Sequence, residues 1–207
     1  MSRFPNVQFM LSVAAPPQFP PDHGAEVAFA GRSNAGKSSA INAITERKAL
    51  ARISKTPGRT QLLNYFELKP GERIVDLPGY GYAAVHAGAR RKWGPLIDSL
   101  RQRDSLHGLF LIVDSRRGMR EEDVELVEWA QPERRAVHVL LAKCDKLNRT
   151  EQTALLRESK AILGAAGTVQ LFSAHDGSGV EAAQKALVAA LRPQAQAVGP
   201  RAVDPPA

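Results

Sequence analysis

The sequence predicts an α/β fold with a mostly parallel six-stranded sheet, one antiparallel edge strand and helices on both faces. Short apolar runs bounded by turn residues alternate with stretches of helical spacing, which is typical of strands that helices cover on both sides. The neighbouring apolar runs 62–68 and 73–77 are joined through Pro70–Gly71, and this pattern predicts a hairpin. The hairpin would supply the antiparallel edge strand. The apolar runs are 27–30, 62–68, 73–77, 108–114, 137–142 and 169–172.

Helical stretches and proline-rich segments divide the chain. Residues 16–24 carry four prolines and predict an extended strap before the first predicted strand. We therefore expect an N-terminal strap over 1–24, one folded domain over 25–191 and a flexible Pro/Ala-rich tail over 192–207. Apolar residues recur at helical spacing in 37–46, 90–103, 121–129, 150–164 and 180–191.

The composition favours a folded protein with a basic surface. Of the 207 residues, 43% are hydrophobic, and the formal net charge is +7. This charge favours polyanions such as RNA, although ordinary solubility charge explains it equally well. The single cysteine, Cys144, excludes an intramolecular disulfide. The apolar segment Met10–Ala15 ends at Pro16 and falls short of the roughly 20 residues of a membrane helix, so we expect a cytoplasmic protein.

A phosphate-binding motif follows the first predicted strand. Residues Gly31–Ser38 read GRSNAGKS and match G-x-x-x-x-G-K-[ST], in which glycines let the backbone wrap around phosphate oxygens ahead of a helix. Lys37 would reach the β- and γ-phosphates, and Ser38 would bind Mg²⁺. A glycine-rich turn without function is the alternative, and the strand before the motif and the helix after it argue against that.

A second motif, Asp76–Gly79, reads DLPG at the end of the third apolar run. Its aspartate would hold a water on Mg²⁺, and the N–H of Gly79 would sense the γ-phosphate. The polar segment 54–61 lies between the two motifs and would cover the nucleotide. Thr56 and Thr60 both qualify there to offer a hydroxyl to Mg²⁺.

A base-binding motif follows the fifth apolar run. Ala142–Asp145 reads AKCD, close to the [NT]-K-x-D pattern of guanine-binding proteins. Asp145 would accept the guanine N1–H and N2–H, a donor pair that adenine lacks, while the stem of Lys143 lies over the ring. Ala142 cannot brace this loop to the phosphate loop, so we expect guanine affinity lower by about 1 kcal/mol without loss of specificity. Backbone N–H groups of Phe172–Ala174 would face guanine O6.

The segments GRSNAGKSS, SKTPGRTQLLNYF, DLPGYGYA, AKCDKL and FSA together resemble the bacterial EngB (YihA/YsxC) family of P-loop GTPases, relatives of Era and TrmE, over about residues 25–191. The resemblance implies a Ras-like fold, GTP or GDP as ligand with Mg²⁺, and a switch in large ribosomal subunit assembly that is needed for normal cell division and septation. It implies Ser38 and Thr60 as the Mg²⁺ ligands. The residues that it implies around the nucleotide are Gly31, Arg32, Ser33, Asn34, Ala35, Gly36, Lys37, Ser38, Gly58, Arg59, Thr60, Gln61, Leu62, Asp76, Leu77, Pro78, Gly79, Ala142, Lys143, Cys144, Asp145, Phe172, Ser173 and Ala174.

Catalysis would involve Lys37, Thr60 and Asn34. Ras-type enzymes orient the attacking water with a glutamine after D-x-x-G, and Tyr80 at that position predicts slow hydrolysis, about 10⁻⁴ to 10⁻² s⁻¹. Two sources of the missing activation stay open. One follows from TrmE-like relatives, in which an asparagine at the position of Asn34 helps to hold K⁺ beside the phosphates. The other is a docked ribosomal partner.

Basic residues downstream of Tyr80 predict an RNA-facing patch, with a solvated helix face as the open alternative. We therefore expect the precursor of the large ribosomal subunit and its rRNA as partners of a monomer that binds neither DNA nor membranes. A P-loop kinase or ATPase is a rival interpretation that Asp145 argues against. Another rival interpretation is an RNA-binding scaffold whose shape is locked by bound nucleotide, without meaningful turnover. Tyr80 favours this interpretation. The basic residues are Arg90, Arg91, Lys92, Arg101, Arg103, Arg116, Arg117 and Arg120.

Overall fold

A seven-stranded sheet forms the centre of the computed structural model, which describes residues 2–51, 62–80, 95–133 and 135–192. Its strands are β1 (Gln8–Val13), β2 (Ala25–Gly31), β3 (Leu63–Lys69), β4 (Glu72–Asp76), β5 (Leu106–Asp114), β6 (Ala136–Ala142) and β7 (Thr168–Leu171). Across the sheet they follow the order β1-β3-β4-β2-β5-β6-β7. The predicted hairpin is confirmed as β3 and β4, with Phe66 opposite Ile74.

The mostly parallel sheet is confirmed, but its strand count and its edge differ from the prediction of six strands. β3 is antiparallel to β4 as predicted, yet it does not lie at the edge, because β1 pairs with its other side. The β1–β3 register shifts between Phe9 and Leu11, and the side chains of Phe9 and Met10 are exposed. This irregularity interrupts the alternation that identifies a strand in sequence, so periodicity does not reveal β1.

Helices cover both faces of the sheet, as predicted. Two helices pack around Phe29 of β2 on one face, and three pack around Leu109 of β5 on the other. Within the described part of the chain, no helix has both the length and the apolar character to cross a bilayer. The first two helices are α1 (Lys37–Ile44) and α5 (Val180–Leu191), and the other three are α2 (95–101), α3 (Glu121–Ala130) and α4 (Arg149–Leu163).

The carboxyl ends of the parallel strands meet at one edge of the sheet. β2 ends at Gly31, β4 at Asp76, β5 at Asp114 and β6 at Ala142. β2 lies between β4 and β5, so successive connections leave it in opposite directions. Open α/β sheets bind ligands at such a switch point, outside the carboxyl ends of the strands. The fold therefore collects the predicted motifs at one place.

The amino-terminal end of β2 lies in a buried cluster of charges. Glu26 is fully buried, and its Oε1 lies 2.9 Å from Arg103 Nη2 and 3.4 Å from Arg73 Nε. Arg103 Nη2 also donates to the carbonyl oxygen of Pro20 at 3.0 Å, and the Arg73 guanidinium donates to that of His23. Two buried guanidinium groups thus tie the segment before β2 to the sheet.

Candidate nucleotide-binding site

The loop between β2 and α1 has the backbone that a phosphate cradle requires. Gly31 leaves no room for a side chain, because a Cβ there would lie 2.8 Å from the carbonyl oxygen of Ile112 on β5. Asn34 has a φ of 64°, and Gly36, which caps α1, has a φ of 113°. Left-handed residues turn the chain sharply, so that main-chain N–H groups before a helix can converge on an anion.

The D-x-x-G segment at the end of β4 and Tyr80, which follows it, pack directly on this loop. The N–H of Ser33 donates to the carbonyl oxygen of Tyr80 at 2.9 Å, and the N–H of Tyr80 donates to that of Gly31 at 3.3 Å. A Cβ at Gly79 would lie only 3.1 Å from Ser33 Cα. The structure therefore brings the two predicted phosphate-binding motifs together.

Lys37 and Asp76 form an ion pair at the centre of this site. Lys37 Nζ donates to Asp76 Oδ1, and both side chains are largely buried. Burial raises the pKa of Asp76, while the positive charge of Lys37 acts in the opposite direction. An ammonium group pairs with phosphate as readily as with carboxylate. A bound polyphosphate can therefore replace Asp76 as the partner of Lys37.

The oxygen donors beside this ion pair fit a hard divalent cation. Ser38 lies in the first turn of α1, next to Lys37, and hydroxyl and carboxylate oxygens are ligand types that Mg²⁺ prefers. In the described ranges, no group of three or more His, Cys, Asp or Glu side chains could hold a metal ion. An Mg²⁺ ion here would take its remaining oxygens from phosphate and water. Thr56 and Thr60 lie outside the described residues.

The two predicted base-binding segments meet at the ends of β6 and β7. The N–H of Cys144 donates to the carbonyl oxygen of Phe172 at 3.2 Å, and the N–H of Phe172 donates to that of Leu141 at 3.0 Å. Lys143, with a φ of 62°, turns the chain out of β6 into a short 3₁₀ helix. These bonds hold the two predicted base-binding segments side by side.

Asp145 is oriented by the hydroxyl of Ser173. Ser173 Oγ donates to Asp145 Oδ1 at 2.7 Å and accepts from the N–H of His175 at 3.1 Å. The hydrogen bond from Ser173 lowers the pKa of Asp145, and so does the nearby Lys146. Asp145 is therefore ionised at neutral pH and able to accept two N–H donors. Only the backbone of Ser173 was predicted to contribute to the site, and the structure adds its hydroxyl as a partner of Asp145.

Lys143 links the base-binding segment to the phosphate loop. Its Nζ donates to the carbonyl oxygen of Asn34 at 2.6 Å and to Asp114 Oδ2 at 2.8 Å. Ala142 offers only a methyl group, although it lies close to the same loop: a Cβ added at Gly36 would be 3.7 Å from it. Position 142 therefore packs beside the phosphate loop without a side-chain hydrogen bond.

Asp114 and Arg116 line a pocket beside the predicted segments, although no motif identified them. Asp114 accepts hydrogen bonds from Arg116 Nε at 2.9 Å and from Arg116 Nη2 at 2.7 Å. Burial alone would raise the pKa of Asp114, but the bonds from Arg116 and Lys143 bring it well below its usual range. The available signal was an acid at the carboxyl end of a predicted parallel strand. Beside Asp114 opens a pocket of about 390 Å³, lined by Arg32, Ser33, Asn34, Ala35, Val113, Asp114, Arg116, Arg117, Gly118, Asp123 and Lys143.

Tyr80, at the position of the Ras-type glutamine, is bonded to α3. Its hydroxyl donates to Asp123 Oδ1, and Asp123 Oδ2 accepts from the N–H of Arg120 at 2.8 Å. Burial and the neighbouring Asp123 carboxylate raise the pKa of the Tyr80 hydroxyl. A hydroxyl committed to Asp123 does not orient a water on a γ-phosphate.

The remaining predicted residues lie in different environments, and Arg101 among them is half-buried. Leu62 is exposed directly before β3. Arg103 was predicted to face RNA, which is wrong, because it is buried against Glu26. Arg116, Arg117 and Arg120 are exposed. The predicted residues that lie outside the described part of the chain are Gly58, Arg59, Thr60, Gln61, Arg90, Arg91 and Lys92.

Known proteins of similar sequence cover almost the whole chain. The protein-family model described as 50S ribosome-binding GTPase matches residues 26–143. A protein of Azoarcus sp. (strain BH72) named Probable GTP-binding protein EngB is 50% identical over 200 residues, which cover 94% of this chain and 96% of the relative. This chain belongs to the EngB family. The resemblance seen in the motifs is thereby confirmed, and the protein is a GTP-binding GTPase.

Other EngB proteins and solved structures agree. The EngB of Aromatoleum aromaticum (strain DSM 19018 / LMG 30748 / EbN1) is 51% identical over 185 residues, covering 87% of this chain and 86% of its own. A crystal structure of a probable GTP-binding protein EngB matches with a TM-score of 0.64 at 23% identity, covering 82% of this chain and 100% of that chain. A variant of Aquifex aeolicus Era bound to GDP·AlF₄⁻ matches with a TM-score of 0.64 at 22% identity, covering 89% of this chain and 62% of that one. These structures confirm the Ras-like P-loop fold.

Proposed function

We propose that this EngB protein is a GTP-driven switch in the assembly of the large ribosomal subunit. The matching family model is described as a 50S ribosome-binding GTPase. The observation that carries the proposal is the contact between the phosphate loop and the D-x-x-G segment, through Ser33 and Tyr80. Tyr80 in turn bonds Asp123 beside exposed arginines. A change at the γ-phosphate would pass along these contacts to a surface suited to RNA.

Arg116, Arg117 and Arg120 support rRNA as the partner. They are exposed beside the nucleotide site, in a chain with a formal net charge of +7. A structure of Era, 22% identical with a TM-score of 0.62 over 86% of this chain and 60% of that one, contains MgGDPNP and nucleotides 1506–1542 of 16S ribosomal RNA. We infer that this chain, as a monomer, binds rRNA of the large-subunit precursor through these arginines, and does not bind DNA.

Binding to a fragment of large-subunit rRNA tests this interface. Replacing both Arg117 and Arg120 with alanine is expected to weaken binding for all fragments. It should also lower the salt dependence of the affinity by about one counterion for each phosphate that the two arginines neutralise. Lys185→Ala, on the exposed face of α5, is the matched control. Equal binding by the control and the double variant, or binding insensitive to salt, would overturn the proposal.

We propose that Mg²⁺ is held by Ser38 and Thr60, with Asp76 bonding one of its waters. When bound, Mg²⁺ neutralises the charge that develops on the β- and γ-phosphates. Lys37 would leave Asp76 for the phosphate oxygens, while the main-chain N–H groups of 31–38 bind the same anion. The exchangeable Lys37–Asp76 ion pair supports this assignment.

We propose that hydrolysis is slow without a partner, at about 10⁻⁴ to 10⁻² s⁻¹. The Tyr80 hydroxyl is bonded to Asp123, so water must be positioned by another group. K⁺ held at Asn34 is one such activator, and equal rates in K⁺ and Na⁺ would exclude it. The docked large subunit is the other.

Single-turnover GTP hydrolysis, measured with and without large subunits, tests the switch. Stimulation of at least about tenfold is expected when subunits are added. The second candidate function is an RNA-binding scaffold whose shape is locked by bound nucleotide, without meaningful turnover. The Tyr80–Asp123 bond favours it. If added subunits do not stimulate hydrolysis in K⁺ or in Na⁺ while GTP binding is normal, the switch function is rejected and the scaffold function is favoured.

We further propose that the protein acts in the cytoplasm and that its loss disturbs cell division and septation, as the EngB resemblance implies. Depletion is expected to cause accumulation of immature large subunits before cells elongate, and the reverse order would contradict a primary ribosomal role. The division into a strap over 1–24, which contributes β1 to the sheet, a GTPase domain over 25–191 and a tail over 192–207 also stays a proposal. Removal of 192–207 is expected to leave GTP binding unchanged.

A further inference from the structure

A carboxylate outside the nucleotide-binding motifs is fixed at the carboxyl end of β5. Asp114 accepts four hydrogen bonds: from the N–H, Nε and Nη2 of Arg116, and from Lys143 Nζ. The first three come from its own loop, and the fourth reaches across from the end of β6. The Asp114 side chain is buried, whereas that of Arg116 is exposed. Arg116 therefore holds the Asp114 carboxylate in one orientation. The bond from Lys143 to that carboxylate is the one directed into the site.

Lys143 is the residue through which this carboxylate can reach the nucleotide. Its Nζ bonds Asp114 and the carbonyl oxygen of Asn34 at the same time, at 2.8 and 2.6 Å. One ammonium group thus joins three segments: the base-binding segment, the end of β5 and the phosphate loop. A lysine stem has many rotamers in water, and holding its ammonium group at two points removes most of that freedom before a base arrives.

The bond from Lys143 to the phosphate loop matters in this chain because residue 142 is an alanine. Ala142 cannot donate a hydrogen bond to the phosphate loop, although its methyl group lies close to Gly36. Lys143 makes the hydrogen bond that joins the base-binding segment to the phosphate loop in the described part of the chain, from its Nζ to the carbonyl oxygen of Asn34. A purely local explanation, in which Asp114 only shapes its own turn through Arg116, accounts for three of the four bonds but not for the bond to Lys143.

We propose that Asp114 is a positioning residue for the guanine nucleotide, which replaces the brace that Ala142 cannot make by holding Lys143 against the phosphate loop. Asp114 acts on the bound base through Lys143 and touches neither the base nor the phosphates itself. The proposal rests on the guanine-nucleotide binding of the EngB family, and it adds a specific role for a residue that lies outside the nucleotide-binding motifs.

Dissociation of mant-GDP, followed by fluorescence, tests the proposal. Asp114→Asn is expected to raise the dissociation rate about tenfold, because it replaces a charge-assisted hydrogen bond by a neutral one. In a Lys143→Met background the same change is expected to add nothing. In an Ala142→Thr background, where the threonine hydroxyl can brace the loop directly, its effect is expected to shrink below about threefold. Asp98→Asn, at an exposed position on α2, is the control for the chemical change.

The outcomes separate positioning from general structural damage. Ala142 pairs with Asp114 across β5 and β6, so Ala142→Thr alone is measured as the reference for the double variant. An equal effect of Asp114→Asn with and without Ala142→Thr would overturn the proposal. An effect that persists in the Lys143→Met background would overturn it too. If Asp114→Asn does not fold, Asp114→Glu keeps the charge but displaces it by one methylene, and its expected effect of about threefold must also vanish with Ala142→Thr. Failure of the unchanged protein to bind mant-GDP would instead contradict the family assignment.

Discussion

Buried ion pairs stand at the two ends of β2, and they differ in what completes them. At the amino-terminal end, Glu26 meets both Arg103 and Arg73, and these guanidinium groups also bond carbonyl oxygens of the preceding segment. At the carboxyl end, Lys37 and Asp76 pair with each other beside the N–H groups of the phosphate loop. In the first cluster Glu26 and Arg103 find their hydrogen-bond partners within the protein, whereas the second pair can share its charges with a ligand.

The difference shows how the same type of interaction serves structure at one end and function at the other. Removing a charge from water costs several kcal/mol, and a buried ion pair recovers this only when its hydrogen bonds are complete. Glu26 and Arg103 have that completeness in the protein alone. Asp76 has a raised pKa even beside Lys37, which marks an ion pair that is less well compensated. Such a pair is suited to exchange its partner when phosphate binds.

The largest expected effect breaks the amino-terminal cluster. Arg103→Ala leaves Glu26 buried without its closest partner, so the free energy of unfolding should fall by about 3–5 kcal/mol, as urea denaturation would measure. The GDP affinity of the folded protein should stay the same, because the cluster lies at the far end of β2. Lys185→Ala, which removes an exposed ion pair with Glu181, is the control and should change stability little. Similar stability losses in both variants would refute the structural role of the cluster.

The next effect concerns ligand choice at the carboxyl end. Asp145→Asn places an N–H donor opposite the guanine donors, so GDP affinity should fall about 100-fold and xanthosine diphosphate should become the preferred ligand. Competition against mant-GDP measures both affinities, with Asp98→Asn as the control. Stability without nucleotide should hardly change, in contrast to Arg103→Ala. A variant that still prefers GDP would remove Asp145 from the base-binding site.

Asp76→Asn sharpens the comparison between the two ion pairs. A raised pKa means that the folded state binds the proton more tightly than the unfolded state, so the contribution of this carboxyl to stability is lost as the pH rises through the folded pKa. At pH 7 the substitution should therefore cost much less stability than Arg103→Ala. Mg²⁺-dependent GTP affinity should nevertheless fall about tenfold. A stability loss as large as that of Arg103→Ala would abolish the distinction.

The smallest expected effect is a pH dependence. Hydrogen bonds from Arg116 and Lys143 hold the folded pKa of Asp114 below its unfolded value, so its contribution to stability is present above that value and is lost as the pH falls. The difference in unfolding free energy between the unchanged protein and Asp114→Asn should be about 1 kcal/mol at pH 7, after allowance for solvent screening, and should shrink below pH ~4. Parallel pH profiles would contradict this.

Residues whose chemistry depends on near neighbours could be predicted. Gly31, Gly36 and Lys37 lie in or beside one short loop, and Asp145 lies within four residues of the end of β6. β1 could not be predicted, because its register shift and its exposed Phe9 remove the alternation on which strand prediction relies. Arg103 was misplaced because a basic residue has the same identity in an RNA-binding patch and in a buried ion pair, and only burial distinguishes them.

By itself the sequence determined the alternation of strands and helices, the glycine-rich loop before α1 and the acid that is predicted to read guanine, because each depends on residue types at short, regular spacing. Only the tertiary structure decided that Asp114 holds Lys143, that Tyr80 bonds Asp123 and that Arg103 lies inside. Those partners come from different strands and helices. Their meeting depends on the order and register of the sheet, and no local pattern of residues contains that information.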